Sequence, residues 1–268
     1  MKQKTKLLAD RLVKIISRWA GVECISLNEA SLGDTLDPYF ALILDVFYAG
    51  PIPAPEEREK IFAGSGASGG GNISAFETSN QGKKDRFLAG DLPVRIEFKS
   101  TARIEELVSF ADTKQDSLWF IKDSGTYGFY RLAQGGVIFN RSGWIDGIRE
   151  RLSRTDNKFW NQLREMNQSR MEHFLNDLGA ALYQRDDFFY LMSSSGFIKY
   201  ACLTLFCINR RFEPSHRAYY NQVLTLPVLP EGFAAQFESF LNGGADFTVE
   251  RRYSLAQLMA RGIVSLGM

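Results

Sequence analysis

Residues Thr5 to Ala20 place Leu8, Leu12, Ile15, Ile16 and Trp19 on one stripe with charges opposite. That period predicts an amphipathic helix, which Gly21 ends. Val22 to Leu27 is a short strand, and a turn-rich connector, Asn28 to Tyr39, follows it. Phe40 to Tyr48 is almost continuously apolar, the pattern of a central strand buried on both faces. Pro51, Pro53 and Pro55 stop it, and Glu56 to Phe62 predicts a short helix with Pro55 near its start. Arg86–Ala89 and Leu92–Phe98 flank Gly90-Asp91, a hairpin signal. Thr101 to Ala111 predicts a helix opened by a capping box at Thr101 and Glu105 or a residue near it. Tyr127–Leu132 and Val137–Phe139 flank Gln134-Gly135-Gly136 and predict a second hairpin.

From Trp144 onward strand signals vanish. Helical spacing runs through Arg149–Arg151, Phe159–Tyr183, Phe188–Asn209, Gln236–Leu241 and Leu255–Val264. The expected fold is α+β: an N-terminal mixed sheet flanked by helices in residues 1–140, then an all-helical C-terminal domain in 141–268. Phe188, Phe189, Tyr190, Phe197, Tyr200 and Phe206 recur at helical spacing and are expected in the core. Gly64 to Gly71 is glycine- and serine-rich but lacks the Gly-Lys-Ser/Thr ending of a P-loop. It is read as a surface loop.

Composition narrows the class. The 268 residues are 45% hydrophobic and 24% charged, enough apolar material for a packed core. Lys plus Arg number 32 against 31 for Asp plus Glu, so a polycationic nucleic-acid binder is disfavoured. Cys24, Cys202 and Cys207, with two His in the chain, make neither a disulfide framework nor a structural zinc site. They are expected as buried reduced thiols. The N-terminus lacks the apolar run of a signal peptide and no stretch is expected to reach transmembrane length. The expected location is the cytoplasm, with no membrane partner.

Two carboxylates stand out. Asp45 interrupts the apolar strand, on one face with Ala41, Ile43 and Phe47. A buried carboxylate costs several kcal/mol unless it is paired or binds a metal. Its options are a helix N-terminus, an Arg or a cation. Glu97 lies in Leu92-Pro93-Val94-Arg95-Ile96-Glu97-Phe98-Lys99, whose clean alternation sets Arg95, Glu97 and Lys99 on one face. Two carboxylates on neighbouring strands can hold a divalent cation.

The order of elements then resembles a known family. Helix, strand, turn with Gly33, strand with Asp45, helix, hairpin with Glu97 and helical domain are similar to the nucleotidyltransferase fold of the polymerase-β type. In particular the chain resembles two-domain aminoglycoside-nucleotidyltransferase-like proteins. Three stretches carry the likeness: Leu32-Gly33-Asp34-Thr35-Leu36-Asp37-Pro38-Tyr39 leading into Leu44-Asp45-Val46, then Leu92 to Phe98, then Leu205 to Arg217. The resemblance implies Mg²⁺-dependent transfer of a nucleoside monophosphate from an NTP to a small-molecule hydroxyl. It implies that Ser31 and Gly33 belong to the phosphate turn. It makes Asp45 and Glu97 the metal carboxylates, and Asp187 the base that deprotonates the acceptor. Lys199, Arg210, Arg211, His216 and Arg217 form a basic cluster, of which Lys199 and Arg217 are the expected phosphate contacts.

The chain departs from that pattern. Such enzymes carry two acids, two residues apart on one strand; here the partner position of Asp45 is Ile43 or Phe47, depending on register. The residue after Gly33 is Asp34, which repels a triphosphate. Loss of a metal carboxylate removes several kcal/mol of transition-state stabilisation. A catalytically degenerate protein that binds a nucleotide or other ligand without turnover is therefore the alternative. A third reading is a metal-dependent nuclease, because Asp91, Glu97 and Lys99 match an acid…Glu-x-Lys pattern.

Overall fold

The structure, a computed structural model, describes residues 3–28, 42–64, 75–79, 82–115, 125–243 and 248–267, with the side chains of 75–79 and 82 excepted. The connector at 29–41, and with it Ser31, Gly33 and the first of the three family-like stretches as far as Ala41, lies outside the described residues. So does the glycine-rich run beyond Gly64. The chain divides into two compact units. The first takes Met1–Phe110 and Arg131–Arg154, the second Ala111–Tyr130 and Thr155–Met268.

The fold is α+β. In the first unit α1 (Gln3–Ile16) precedes β1 (Val22–Leu27) and β2 (Leu42–Tyr48). Then come α2 (Pro55–Gly64), β3 (Ala75–Ser79), β4 (Gly82–Ala89), β5 (Leu92–Ser100) and α3 (Thr101–Asp112). The described strands form one sheet, ordered β3-β4-β5-β2-β1, and completed by β6 (Gly136–Asn140) beyond β1. Only the central pair, β2 and β5, is parallel among the described strands. The expected β4–β5 hairpin is present, with Ala89 opposite Leu92 and Gly90 at φ 67 in its turn.

One sheet face is the apolar core. Leu42, Leu44 and Val46 of β2 join Val94, Ile96 and Phe98 of β5, covered by Leu12 and Ile16 of α1 and Phe62 of α2. Within it lies a fully buried ion pair that the sequence does not announce. Arg58 of α2 donates from Nε and Nη2 to the two oxygens of Asp85 at 2.8 Å each. Its Nη1 bonds the Pro53 carbonyl at 2.9 Å, and its guanidinium lies 4.9 Å from the Phe98 ring centre.

The expected second hairpin is not there. Residues Tyr127–Gln134 form a helix, α4, and β6 pairs antiparallel with β1 instead of with an arm of its own. The aromatic run Tyr127-Gly128-Phe129-Tyr130 suggests β-structure by composition. Its burial has the helical spacing: Phe129 and Leu132 are buried three apart. Glu105, expected in the capping box, is engaged elsewhere. Glu105 accepts a bond from Trp144 Nε1 at 2.8 Å and pairs with Arg151, both on α5 (Trp144–Ser153).

The second unit is helical among its described residues. Its helices are α6 (Asn157–Gln184), α7 (Asp187–Ile208), α8 (Tyr219–Val223), α9 (Phe233–Asn242) and α10 (Val249–Ser265), with a 3-10 turn at His216–Ala218. Met171, Leu178, Phe197, Leu205, Phe237, Met259 and Ile263 form its core. Tyr190, Phe197 and Phe206 are core as expected, whereas Phe188 is 75% exposed. One expectation needs correcting: α7 is long and apolar enough, by length and composition, to cross a membrane. Half of that stretch is buried within the protein, as in the core helix of a bundle. All three cysteines are free and buried, and burial pushes their thiols up to about 12.

Candidate functional site

Asp45 and Glu97 are in-register partners on the parallel strands β2 and β5. Their side chains occupy the sheet face opposite the apolar core, because Leu44 and Val46, like Ile96 and Phe98, point into that core. Asp45 is fully buried; the Glu97 side chain is 15% exposed. The pairing expected from the sequence is therefore formed.

What faces these carboxylates is cationic. Arg131 of α4 donates from Nε to Asp45 Oδ2 at 2.9 Å and from Nη2 to Oδ1. Its Nη1 lies 2.9 Å from Glu97 Oε2. Lys99 Nζ lies 2.7 Å from Asp45 Oδ1 and 3.5 Å from Glu97 Oε2. Arg95 Nε is 3.1 Å from Glu97 Oε1, within ion-pair reach though not aligned as a hydrogen bond. All four carboxylate oxygens thus face a positive group, and three cations meet two anions. Burial raises the Glu97 pKa, but the combined attraction of Arg131, Lys99 and Arg95 outweighs it and brings the carboxyl down to about 2. Such a carboxylate is ionised across the physiological range and too weak a base for proton abstraction.

Local structure holds Arg131 in place. It sits in the last turn of α4, whose end is fixed from α5: Arg149 donates from Nε to the Leu132 carbonyl at 3.1 Å and from Nη2 to that of Gly135. A cation on these terminal carbonyls also favours the helix dipole. Gly135 N bonds the Arg131 carbonyl at 3.0 Å. A Cβ at Gly135 would stand 2.5 Å from that oxygen, so only glycine fits the turn that closes α4, beside Ser26 Oγ at 3.3 Å.

This set of groups does not fit Mg²⁺. A divalent cation needs several free oxygen ligands. Here Asp45 and Glu97 are the acids brought together, and their oxygens are already matched to guanidinium and ammonium groups. An added cation would face Arg131 and Lys99 at close range. Ile43 and Phe47, at the two registers where a second acid would stand, are both buried and apolar. No group of three or more metal-ligating side chains occurs among the described residues.

The other expected residues lie in the second unit. Asp187 is the first residue of α7 and exposed, beside Asp186, whose carboxylate caps that helix by accepting from Phe189 N at 2.9 Å. Lys199 lies twelve residues along the same helix, about 18 Å from Asp187 at 1.5 Å rise per residue. Asp187 and Lys199 are therefore not brought together. Arg217 is exposed in the 3-10 turn. Lys199, Arg211 and His216 line one small cavity, of which Arg217 is not part. Asp91 is exposed in the β4–β5 turn, and Lys99 contacts Asp45 and Glu97.

Sequence reasoning missed Arg131. The signal that could have found it is the demand of Asp45 itself: a buried strand carboxylate with no second acid needs a cation, and Arg is the side chain suited to bidentate pairing.

No protein-family model matches the chain, and no curated protein matches it. Among solved structures it is similar to the crystal structure of a nucleotidyltransferase-like protein from Exiguobacterium sibiricum 255-15. The identity is 9% and the TM-score 0.47, over 97% of this chain and 74% of that one.

Proposed function

We propose that this chain is a nucleotidyltransferase-like protein without the metal chemistry of that fold, which binds a nucleotide or another anionic ligand and does not turn it over. One observation carries the reading: the Arg131 guanidinium bonds both Asp45 and Glu97, where a metal-dependent transferase keeps carboxylates open for its cations. Arg131, Lys99 and Arg95 against Asp45 and Glu97 leave one positive charge in excess. That balance attracts an anion and repels a free cation. Neither Glu97, ionised to about pH 2, nor Arg131, always charged, can act as a general base at neutral pH.

The test is a pyrophosphate-release assay with ATP, GTP, CTP and UTP in millimolar Mg²⁺, beside calorimetric titration of each nucleotide with Mg²⁺ or with EDTA. The expected result is no pyrophosphate, and nucleotide binding that EDTA leaves unchanged. Mg²⁺-dependent pyrophosphate release that disappears in Asp45→Asn would overturn the reading. Failure of all four nucleotides to bind would remove the nucleotide as ligand.

A further inference from the structure

The second unit holds a cavity of about 130 Å³ between α6, α7, the segment that follows α7 and the residues that lead into α4. Its polar lining includes Lys199, Arg211, His216 and Glu213; Leu203 and Phe206 are among its apolar lining. Neither Lys199 nor Arg211 is closed into an ion pair among the described residues, and Lys199 stands 5.4 Å from the Tyr200 ring centre. The acid is held differently. Glu213 is 7% exposed, and its N–H donates to Thr126 Oγ1 at 2.9 Å. Its carboxylate is in turn hydrogen-bonded by the Thr126 backbone N–H. Gly125, at φ +64, leaves room for that carboxylate, because a Cβ there would stand 2.5 Å from Glu213 Oε1. Burial raises Glu213 to about 7, so much of it is uncharged near neutrality. The lining therefore carries a surplus of positive charge beside an apolar surface. The buried Tyr219 hydroxyl has no hydrogen-bond partner among the described residues, and Glu213 and Cys207 of the lining are among the groups that act on it electrostatically.

We infer that this cavity binds a small organic oxyanion, one phosphate or carboxylate group on a body no larger than a single ring, with Lys199 and Arg211 on the anion and Leu203 and Phe206 against the body. Size sets the limit. The volume is close to that of a cavity that holds one benzene, about 150 Å³. It is below the roughly 300 Å³ at which pockets for larger ligands begin. The site lies wholly within the second unit and does not rest on the reading given to Asp45 and Glu97.

The experiment is calorimetric titration of the full chain with phenyl phosphate and benzoate, repeated on Lys199→Ala, Arg211→Ala and Arg261→Ala. Lys199 is half-buried and Arg211 exposed, and neither belongs to the packed core, so these variants are expected to fold. Arg261 is an exposed cation on α10 outside the cavity lining. Saturable one-to-one binding of either probe is expected, the tighter one assigning phosphate or carboxylate. Lys199→Ala and Arg211→Ala should each weaken it about tenfold, the loss of one charge-assisted bond, and Arg261→Ala should leave it unchanged. No saturable binding of either probe would overturn the inference. Equal weakening in all three variants would overturn it too, because the effect would then be general surface charge.

Discussion

Asp45 and Glu97 stand side by side on parallel strands and share one guanidinium, that of Arg131. Removing Arg131 therefore acts on a fully buried carboxylate. Arg131→Ala leaves Asp45 with Lys99 as its cation among those contacts, and breaking such a buried pair costs about 3 kcal/mol. Urea denaturation should show that loss. Adding Asp45→Asn should restore part of it, because the stranded charge is gone. Equal stability of Arg131→Ala and the wild type would show that the network carries no weight.

The same network sets an acid limit. The folded Glu97 carboxyl titrates near pH 2, below the ordinary value of 4.5. A depressed carboxyl contributes stability above its unfolded pKa and loses it as pH falls through the folded value. The contribution is thus complete above about pH 5 and declines between pH 4.5 and 2. Glu97→Gln should flatten that limb in pH-dependent unfolding while lowering stability at pH 7. An unchanged acid limb would contradict the pairing.

How much of this was legible depended on sequence distance. The β2 run could be read because burial on both faces leaves a continuous apolar signature, and Asp45 stood out against it. Glu97 followed from clean alternation, and the register that joins the two is an outcome of parallel pairing. Arg131 was hidden twice. It lies 86 residues from Asp45, and its neighbours Tyr127, Phe129 and Tyr130 favour strands by composition although tertiary packing makes them helical. Helical spacing around Arg149–Arg151 was legible, but nothing local shows that residues 131–154 belong with the sheet. Ser31 and Gly33 lie outside the described residues. Arg58 was the least visible: within Glu56-Glu57-Arg58-Glu59-Lys60 it looks like one more solvated charge.

That buried pair gives a sharp contrast between single and double substitution. Asp85→Leu strands a guanidinium that is 0% exposed, at a cost of about 3–5 kcal/mol. Arg58→Met strands the carboxylate at similar cost. The double variant Arg58→Met with Asp85→Leu removes both charges and keeps apolar volume, so its urea midpoint should lie nearer the wild type than either single variant does. Additive losses would mean that the two groups do not interact.

Glu213 has the opposite pH signature to Glu97. Its folded pKa is raised to about 7 from 4.5, chiefly by burial, which the Thr126 N–H and Lys199 only partly offset. Between those values the folded state binds more protons than the unfolded chain, so stability falls as pH rises. The loss begins near pH 4.5 and is complete above about pH 7. Its upper bound is on the order of 3 kcal/mol, at 1.36 kcal/mol per pK unit. Glu213→Gln keeps an oxygen for the Thr126 N–H and removes the charge. It should abolish this slope and make the protein more stable than the wild type at pH 8, with little difference at pH 5. Thermal or urea unfolding at the two pH values checks this, and a variant less stable at pH 8 than at pH 5 by the wild-type margin would refute it.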